Sequence, residues 1–177
     1  LGTAYWKAKR YPQAEVALSR SLSLKSERYA DADKDLMYFI TNLAGFYAER
    51  GEFARSKSLY RTIVRSGPIS LPPHLWAEAA LNLARLYDKG HEPDSAWTLL
   101  SLIDNWHVLP PNSILSYQHQ YQKARTLRQL RKYDEAQDSL SKLMLVLKAS
   151  HADEMTLLFA RCHLEQGILH FDTRNFK

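Results

Sequence analysis

Five small residues recur along the chain at a nearly constant interval: Gly2, Ala44, Ala84, Ala124 and Gly167, separated by 42, 40, 40 and 43 positions. Three residues after each stands a large side chain: Tyr5, Tyr47, Tyr87, Leu127 and His170. Twelve residues after the first four comes a second small residue (Ala14, Ser56, Ala96, Ala136), and four further on Leu18, Tyr60, Leu100 or Leu140. Nine residues after the small position lies an aromatic in four units, Tyr11, Phe53, Tyr133 and Phe176, with Pro93 in that place in the third. Offsets held this strictly mark a repeat, and repeats with a period of roughly 20–50 residues are supersecondary units that must stack to bury a core.

Inside one period the apolar spacing is helical. Leu43, Ala44 and Tyr47 share one face, and Gly51 closes that helix because glycine accepts the left-handed residue a helix end needs. Phe53, Ser56 and Tyr60 form the inner face of a second helix. Ala44 and Ser56 are small enough to let the two helices approach closely, and the three aromatics fill the space around them. Carried along the chain, this spacing predicts helices over 1–9, 11–27, 36–50, 52–65, 73–89, 93–106, about 113–130, 133–149 and 153–172. Pro12, Pro73 and Pro93 stand at helix starts, where the missing N–H is tolerated. Asn112 or Ser113 is the cap of the seventh helix. The charged run 28–35 reads as either helix or loop, and 66–73 and 107–111 as connectors. The organisation is a single array over 1–177, with units of about 1–35, 36–72, 73–111 and 112–150 and a partial 151–177. The chain starts and stops inside a unit. It therefore reads as a fragment of a longer protein, with apolar surface expected at both ends for further chain or another copy to cover.

Composition excludes several classes. Apolar content of 45% and charged content of 24% are those of a folded soluble domain. One cysteine, Cys162, excludes an internal disulfide and suits a reducing, cytoplasmic setting. No apolar run reaches the ~18 residues a membrane span needs. His163 and His170 lie two helical turns apart and no paired-cysteine or His-Glu-x-x-His spacing occurs, so no metal is expected. Gly51, Gly67 and Gly90 are isolated, which argues against a phosphate-cradling loop. Cys162 has no legible base beside it and reads as a buried thiol. The expectation is no catalysis and no cofactor. The basic run Lys123, Arg125, Arg128, Arg131 and Lys132, with Tyr121 alone beside it, falls short of the interleaved basic and aromatic strip of a nucleic-acid binder. Trp76, Trp97 and Trp106 read as core and inter-repeat packing, and His170, at the aromatic position of its unit, as a packing residue.

These features resemble the tetratricopeptide repeat, whose motif has a Leu-Gly pair, a Tyr, a second aromatic, an Ala, a large apolar residue and a late Pro. The second unit is similar to it at Leu43, Ala44, Tyr47, Gly51, Phe53, Tyr60 and Pro68, with Ser56 for the second Ala. The first keeps Leu1, Gly2, Tyr5, Tyr11 and Ala14, and the third Leu83, Ala84, Tyr87 and Ala96. The fourth departs from the motif at Lys123 and Leu127. The period exceeds the usual ~34 residues, as in the long-repeat variety similar to kinesin light chain or bacterial regulatory arrays. The resemblance implies an all-α fold, a right-handed superhelix of antiparallel helix pairs with about four units and a partial fifth.

It also implies a function in binding. In this family the first helices line a concave groove that holds a partner segment. The positions that map there are Tyr38, Asn42, Asn82, Arg85, Gln118, Tyr121, Gln122, Arg125, Arg128 and Arg161, and the same mapping takes in Asp88 and Glu165. The arginines suit carboxylates and the amides an extended backbone. Thr41 and Gly45 stand where the family's carboxylate-clamp members carry clamp residues, so that activity is not carried over. The reading is a protein–protein interaction scaffold for a protein or peptide segment, with acidic groups as one option. The alternative is a ligand- or peptide-sensing regulatory domain of a larger signalling or transcription-regulator protein. No membrane partner is expected, nucleic acid is disfavoured, and self-association through terminal repeats is a further option.

Overall fold

The computed structural model describes residues 1–26, 34–69, 71–148 and 153–175. Among these the chain forms nine α-helices and no strand. They are α1 (Gly2–Lys7), α2 (Tyr11–Ser26), α3 (Lys34–Glu49), α4 (Phe53–Ser66), α5 (Pro73–Lys89), α6 (Pro93–Trp106), α7 (Ile114–Gln129), α8 (Tyr133–Lys148) and α9 (Asp153–Asn175). The expected helices are all present. α3 starts two residues before the expected position and takes in Lys34 and Asp35, and α9 runs to Asn175. Of the two candidate caps, Ser113 serves α7, its hydroxyl accepting from the Ser116 N–H at 3.1 Å. Most of the charged run 28–35 lies outside the described residues.

The helices pack as two compact units, Leu1–Leu86 and Tyr87–Lys177. In the first, α1 packs on α2, α2 on α3 and α3 on α4. Its core joins Ala14, Leu18, Leu43, Phe46 and Tyr47, with Trp6 edge-on to Phe46 at 6.0 Å. The Trp6 ring also lies over Gly45, where a side chain would meet it at 3.0 Å. Trp76 of α5 is fully buried and donates its indole N–H to the Val64 carbonyl of α4 at 3.1 Å. In the second unit, α7 packs on α6, α8 and α9, and α8 on α9. Ala124, Leu127, Ala136, Leu140, Leu143, Leu158, Cys162 and Leu169 form its core.

The repeated small residues do what their spacing requires. Ala14, Ala44, Ala84, Ala96 and Ala136 have no exposed surface, and Ala124 almost none. A Cβ on Gly2 would stand 2.8 Å from the Leu18 side chain, inside contact distance. Where Ser56 replaces alanine, its hydroxyl donates to the Ala44 carbonyl at 2.7 Å, so the polar atom is buried with a partner. The tryptophans divide. Trp97 is half-buried under Lys123 and Lys132, and Trp106 is 45% exposed instead of packed, because α6 ends there.

A second recurrence joins the helices of each pair. The residue seven after the small position has a left-handed backbone in all four turns: Lys9 (φ 57), Gly51 (φ 79), His91 (φ 58) and Arg131 (φ 61). In each turn the following N–H reaches back five residues, as from Glu52 to the Tyr47 carbonyl and from Lys132 to that of Leu127, both at 2.9 Å. This is the Schellman closure of a helix end. Only one of the four uses glycine, so three non-glycine side chains occupy a strained region. His91→Gly and Lys9→Gly should each raise the unfolding free energy by roughly 1 kcal/mol, and Gly51→Ala should lower it by a similar amount. Chemical denaturation of the single variants checks this.

Candidate functional site

Polar residues of the first helices meet polar partners in each unit. In the second, Asp88 lies four residues after Ala84, at the end of α5, and is 1% exposed. Gln122 and Thr126 flank Ala124 on α7, one turn apart and therefore on one face. Both turn to Asp88: the Gln122 amide donates to one carboxylate oxygen, and the Thr126 hydroxyl lies 3.0 and 3.1 Å from the two oxygens. The pattern shifts one helix on. Arg128, four residues after Ala124, donates to Glu165 of α9 at 2.6 Å and to Asp172 at 2.8 Å. Arg125 faces the other oxygen of Glu165 at 3.6 Å. Position +4 of one first helix thus reaches position −2 of the next, and a chain of charge-assisted bonds runs across α5, α7 and α9.

Burial dominates the electrostatics here. It pushes the Asp88 carboxyl up to about 6, against the opposing pull of the Thr126 hydroxyl and Arg125. Tyr121, half-buried beside Glu165 and Arg125, is raised for the same reason. Cys162 lies under this cluster with no exposed surface, and burial lifts its thiol to about 11, so it remains an unreactive thiol near neutral pH. His119 is buried, 3.0 Å from the Leu100 carbonyl of α6, and burial lowers its pKa. Beside it opens a cleft of about 250 Å³ lined by Asp104, His107, Ser116 and Lys123, with Lys123 paired to Asp104 at 2.6 Å. No group of three His, Cys, Asp or Glu among the described residues could hold a metal ion. No helix among them is long and apolar enough to cross a membrane.

The positions mapped from sequence separate by role. Gln122 is buried and engaged by Asp88, and Arg128 is held by two carboxylates. Tyr121, Arg125 and Gln118 are half-buried at the edge of the cluster, and Arg161 is exposed. In the first unit Tyr38 is 60% exposed and Asn42 half-buried. Asn82 accepts from Arg85 at 2.9 Å and bonds the hydroxyl of buried Tyr60, whose pKa burial and then Glu78 push up to about 12. Asp88 and Glu165, mapped to the same face, are buried among their partners instead of lining an open surface. Thr126 and Asp172 are the two members that the mapping misses. The signal that finds the cluster is register: a polar residue four after one small position faces another two before the next.

Small residues buried at fixed offsets in paired helices, closed by the same left-handed turn, find their match among solved structures. A kinesin light chain candidate from Podosopora anserina with nearly identical TPR-like repeats superposes with a TM-score of 0.72 at 16% identity, covering 94% of this chain and 83% of that one. A singly substituted form of the same protein gives 0.75 at 16% identity, covering 98% and 90%. MamA from MSR-1 gives 0.55 at 21% identity, covering 94% and 83%. The fold is the TPR-like repeat. No protein-family model matches the sequence, and no curated protein matches it either, so the likeness lies in geometry. In this TPR-like chain the expected all-α solenoid class and the resemblance to kinesin-light-chain-type repeats both stand.

The buried Asp88 makes the second unit of this TPR-like array sensitive to pH with a definite sign. Its folded pKa lies above the ordinary 3.8, so the native state binds the proton more tightly than the unfolded chain. Asp88 therefore lowers stability as pH rises from about 4 through 6, and its effect is constant above that. The swing is at most about 3 kcal/mol. Asp88→Asn should raise the melting temperature at pH 7.5 and narrow the difference between pH 5 and pH 7.5 relative to the parent chain. Calorimetry on both proteins checks it.

Proposed function

We propose that this chain is a protein-interaction scaffold that holds a partner segment against the first helices of its TPR-like units. The observation that carries the reading is the division of labour among the polar residues of α7 and α9. Gln122, Thr126, Arg128 and Glu165 are engaged with neighbouring helices and stiffen the surface, which leaves Tyr121, Arg125 and Arg161 on its accessible side. Arg125 is held by Glu165 at 3.6 Å, longer than a direct hydrogen bond, so its guanidinium retains donors for a second carboxylate. A pre-ordered arginine beside a half-buried tyrosine is the composition of a protein contact surface. The partner segment is extended and carries acidic groups. In the first unit Tyr38, Asn42, Asn82 and Arg85 supply the corresponding contacts, with Gln118 at the start of the α7 set. Gln122 and Arg128 act by positioning the cluster. The surface is one for recognition: the groups it presents are an arginine pair, a phenol and amides.

The test is charge reversal at the accessible members. Arg125→Glu with Arg161→Glu should weaken binding of extended Asp/Glu-rich peptides by about tenfold or more. Arg125→Glu should also lower the melting temperature, because it sets a carboxylate against buried Glu165. Arg161→Glu alone, at an exposed position, should weaken binding and leave the melting temperature within a few degrees of the parent. Fluorescence anisotropy against a panel of such peptides measures the first, and calorimetry the second. Affinity unchanged by the double reversal would remove both residues from the site.

A further inference from the structure

Asp88 is a buried acid whose surroundings accept it with or without its proton. Thr126 has a single hydroxyl proton and three oxygens within reach of it. Its Oγ1 lies 3.0 and 3.1 Å from the two Asp88 carboxylate oxygens and 3.0 Å from the Gln122 carbonyl. With Asp88 ionised, the Thr126 hydroxyl donates to the carboxylate. With Asp88 protonated, the direction reverses: the carboxyl O–H donates to the Thr126 oxygen, and the Thr126 hydroxyl turns to the Gln122 carbonyl. The Gln122 amide donates to the other carboxyl oxygen in both states. A buried carboxyl normally strands a donor or an acceptor when it gains or loses a proton. Here the proton comes and goes without stranding one.

What the proton changes is charge. Arg125 and Arg128 face Asp88 from α7, and Glu165 faces it from α9. Arg128 is held by Glu165 and Asp172, and Arg125 faces Glu165 at 3.6 Å. The carboxylates of Asp88, Glu165 and Asp172 thus stand against two guanidinium groups, an excess of one negative charge that a proton on Asp88 cancels. Burial keeps the field of that charge poorly screened by salt.

We propose that Asp88 is a proton switch beneath the recognition surface: mild acidification neutralises it and strengthens the hold of Arg125 on an acidic segment. The switch rests on the reading of Tyr121, Arg125 and Arg161 as a contact surface. Burial sets the titration of Asp88 at about 6, within reach of mild acidification. The sign follows from linkage. Ionised Asp88 repels an acidic segment, so the segment prefers the protonated form, and its binding in turn favours proton uptake.

The test is fluorescence anisotropy of an extended Asp-rich peptide at fixed salt between pH 7.5 and pH 5.5, where the peptide's own carboxylates stay ionised. The parent chain should bind at least about threefold more tightly at pH 5.5 than at pH 7.5. Asp88→Asn mimics the protonated acid, since its amide N–H can donate to Thr126. It should bind at pH 7.5 nearly as tightly as the parent does at pH 5.5 and lose most of the pH dependence. The exposed His163 and His170 titrate in both proteins, so the difference between the two profiles belongs to Asp88. Carboxyl-carbon NMR of Asp88 in the parent needs no variant and should show a midpoint matching that of the affinity. Parallel pH profiles for the parent and Asp88→Asn would overturn the switch, as would an Asp88 carboxyl that stays ionised throughout. If Arg161→Glu still weakens the peptide in that case, the recognition surface stands without its switch. A parent chain that binds no such peptide at any pH overturns both.

Discussion

The close approach of two antiparallel helices at a pair of small residues is the contact on which the rest depends. At Ala44 and Ser56 a side-chain hydroxyl touches a backbone carbonyl of the facing helix, a distance that no larger residue permits. Ala84, Ala96 and Ala136 are buried without remainder, and Gly2 sits under Leu18. With the backbones so near, the large residues at fixed offsets, Tyr47, Tyr60, Leu127 and Leu140, fill the rest of the contact. A pair built this way buries one face of each helix and leaves the other to its neighbours, so stability is the sum of pairs and of the interfaces between them. The left-handed residue after α1, α3, α5 and α7 fixes the turn that makes the approach possible.

The second structural layer is polar. Asp88, Gln122, Thr126, Arg128 and Glu165 lie where a purely apolar seam would serve stability at least as well. Burying Asp88 is costly, as the upward shift of its pKa records, yet its carboxylate is met by an amide and a hydroxyl, and Glu165 by two guanidinium groups. A fully met buried network permits few alternative registers, because sliding one helix past the next strands several polar groups at once. The surface proposed to meet a partner is therefore held by its own foundations. That is the property a recognition surface needs if ordering entropy is not to consume its affinity.

Much of this was legible in the residues. The recurrence of small residues located the pairs, and prolines and glycines bounded them closely enough that α5 and α6 match the expected spans end to end. A cap at Asn112 or Ser113 and Cys162 as a buried thiol followed from local chemistry, and the structure chose Ser113. Other features were not legible. Lys9, His91 and Arg131 have left-handed backbones that no local preference suggests; only their phase with Gly51 does. Gln122 and Arg128 looked like surface residues because polar side chains on a helix usually face water, and their partners Asp88, Glu165 and Asp172 lie 34 to 44 positions away. Trp106 and His170 looked like packing residues because their type and phase matched the motif, but neither is covered.

By itself the sequence determined the secondary structure and the pairing, since helical period, small-residue spacing and turn chemistry act over at most a few turns of chain. Tertiary structure alone decided which polar residues are buried and which stay accessible. Burial is a property of neighbours some forty residues apart, and a side chain's charge and hydrogen-bonding partners follow from what stacks against it.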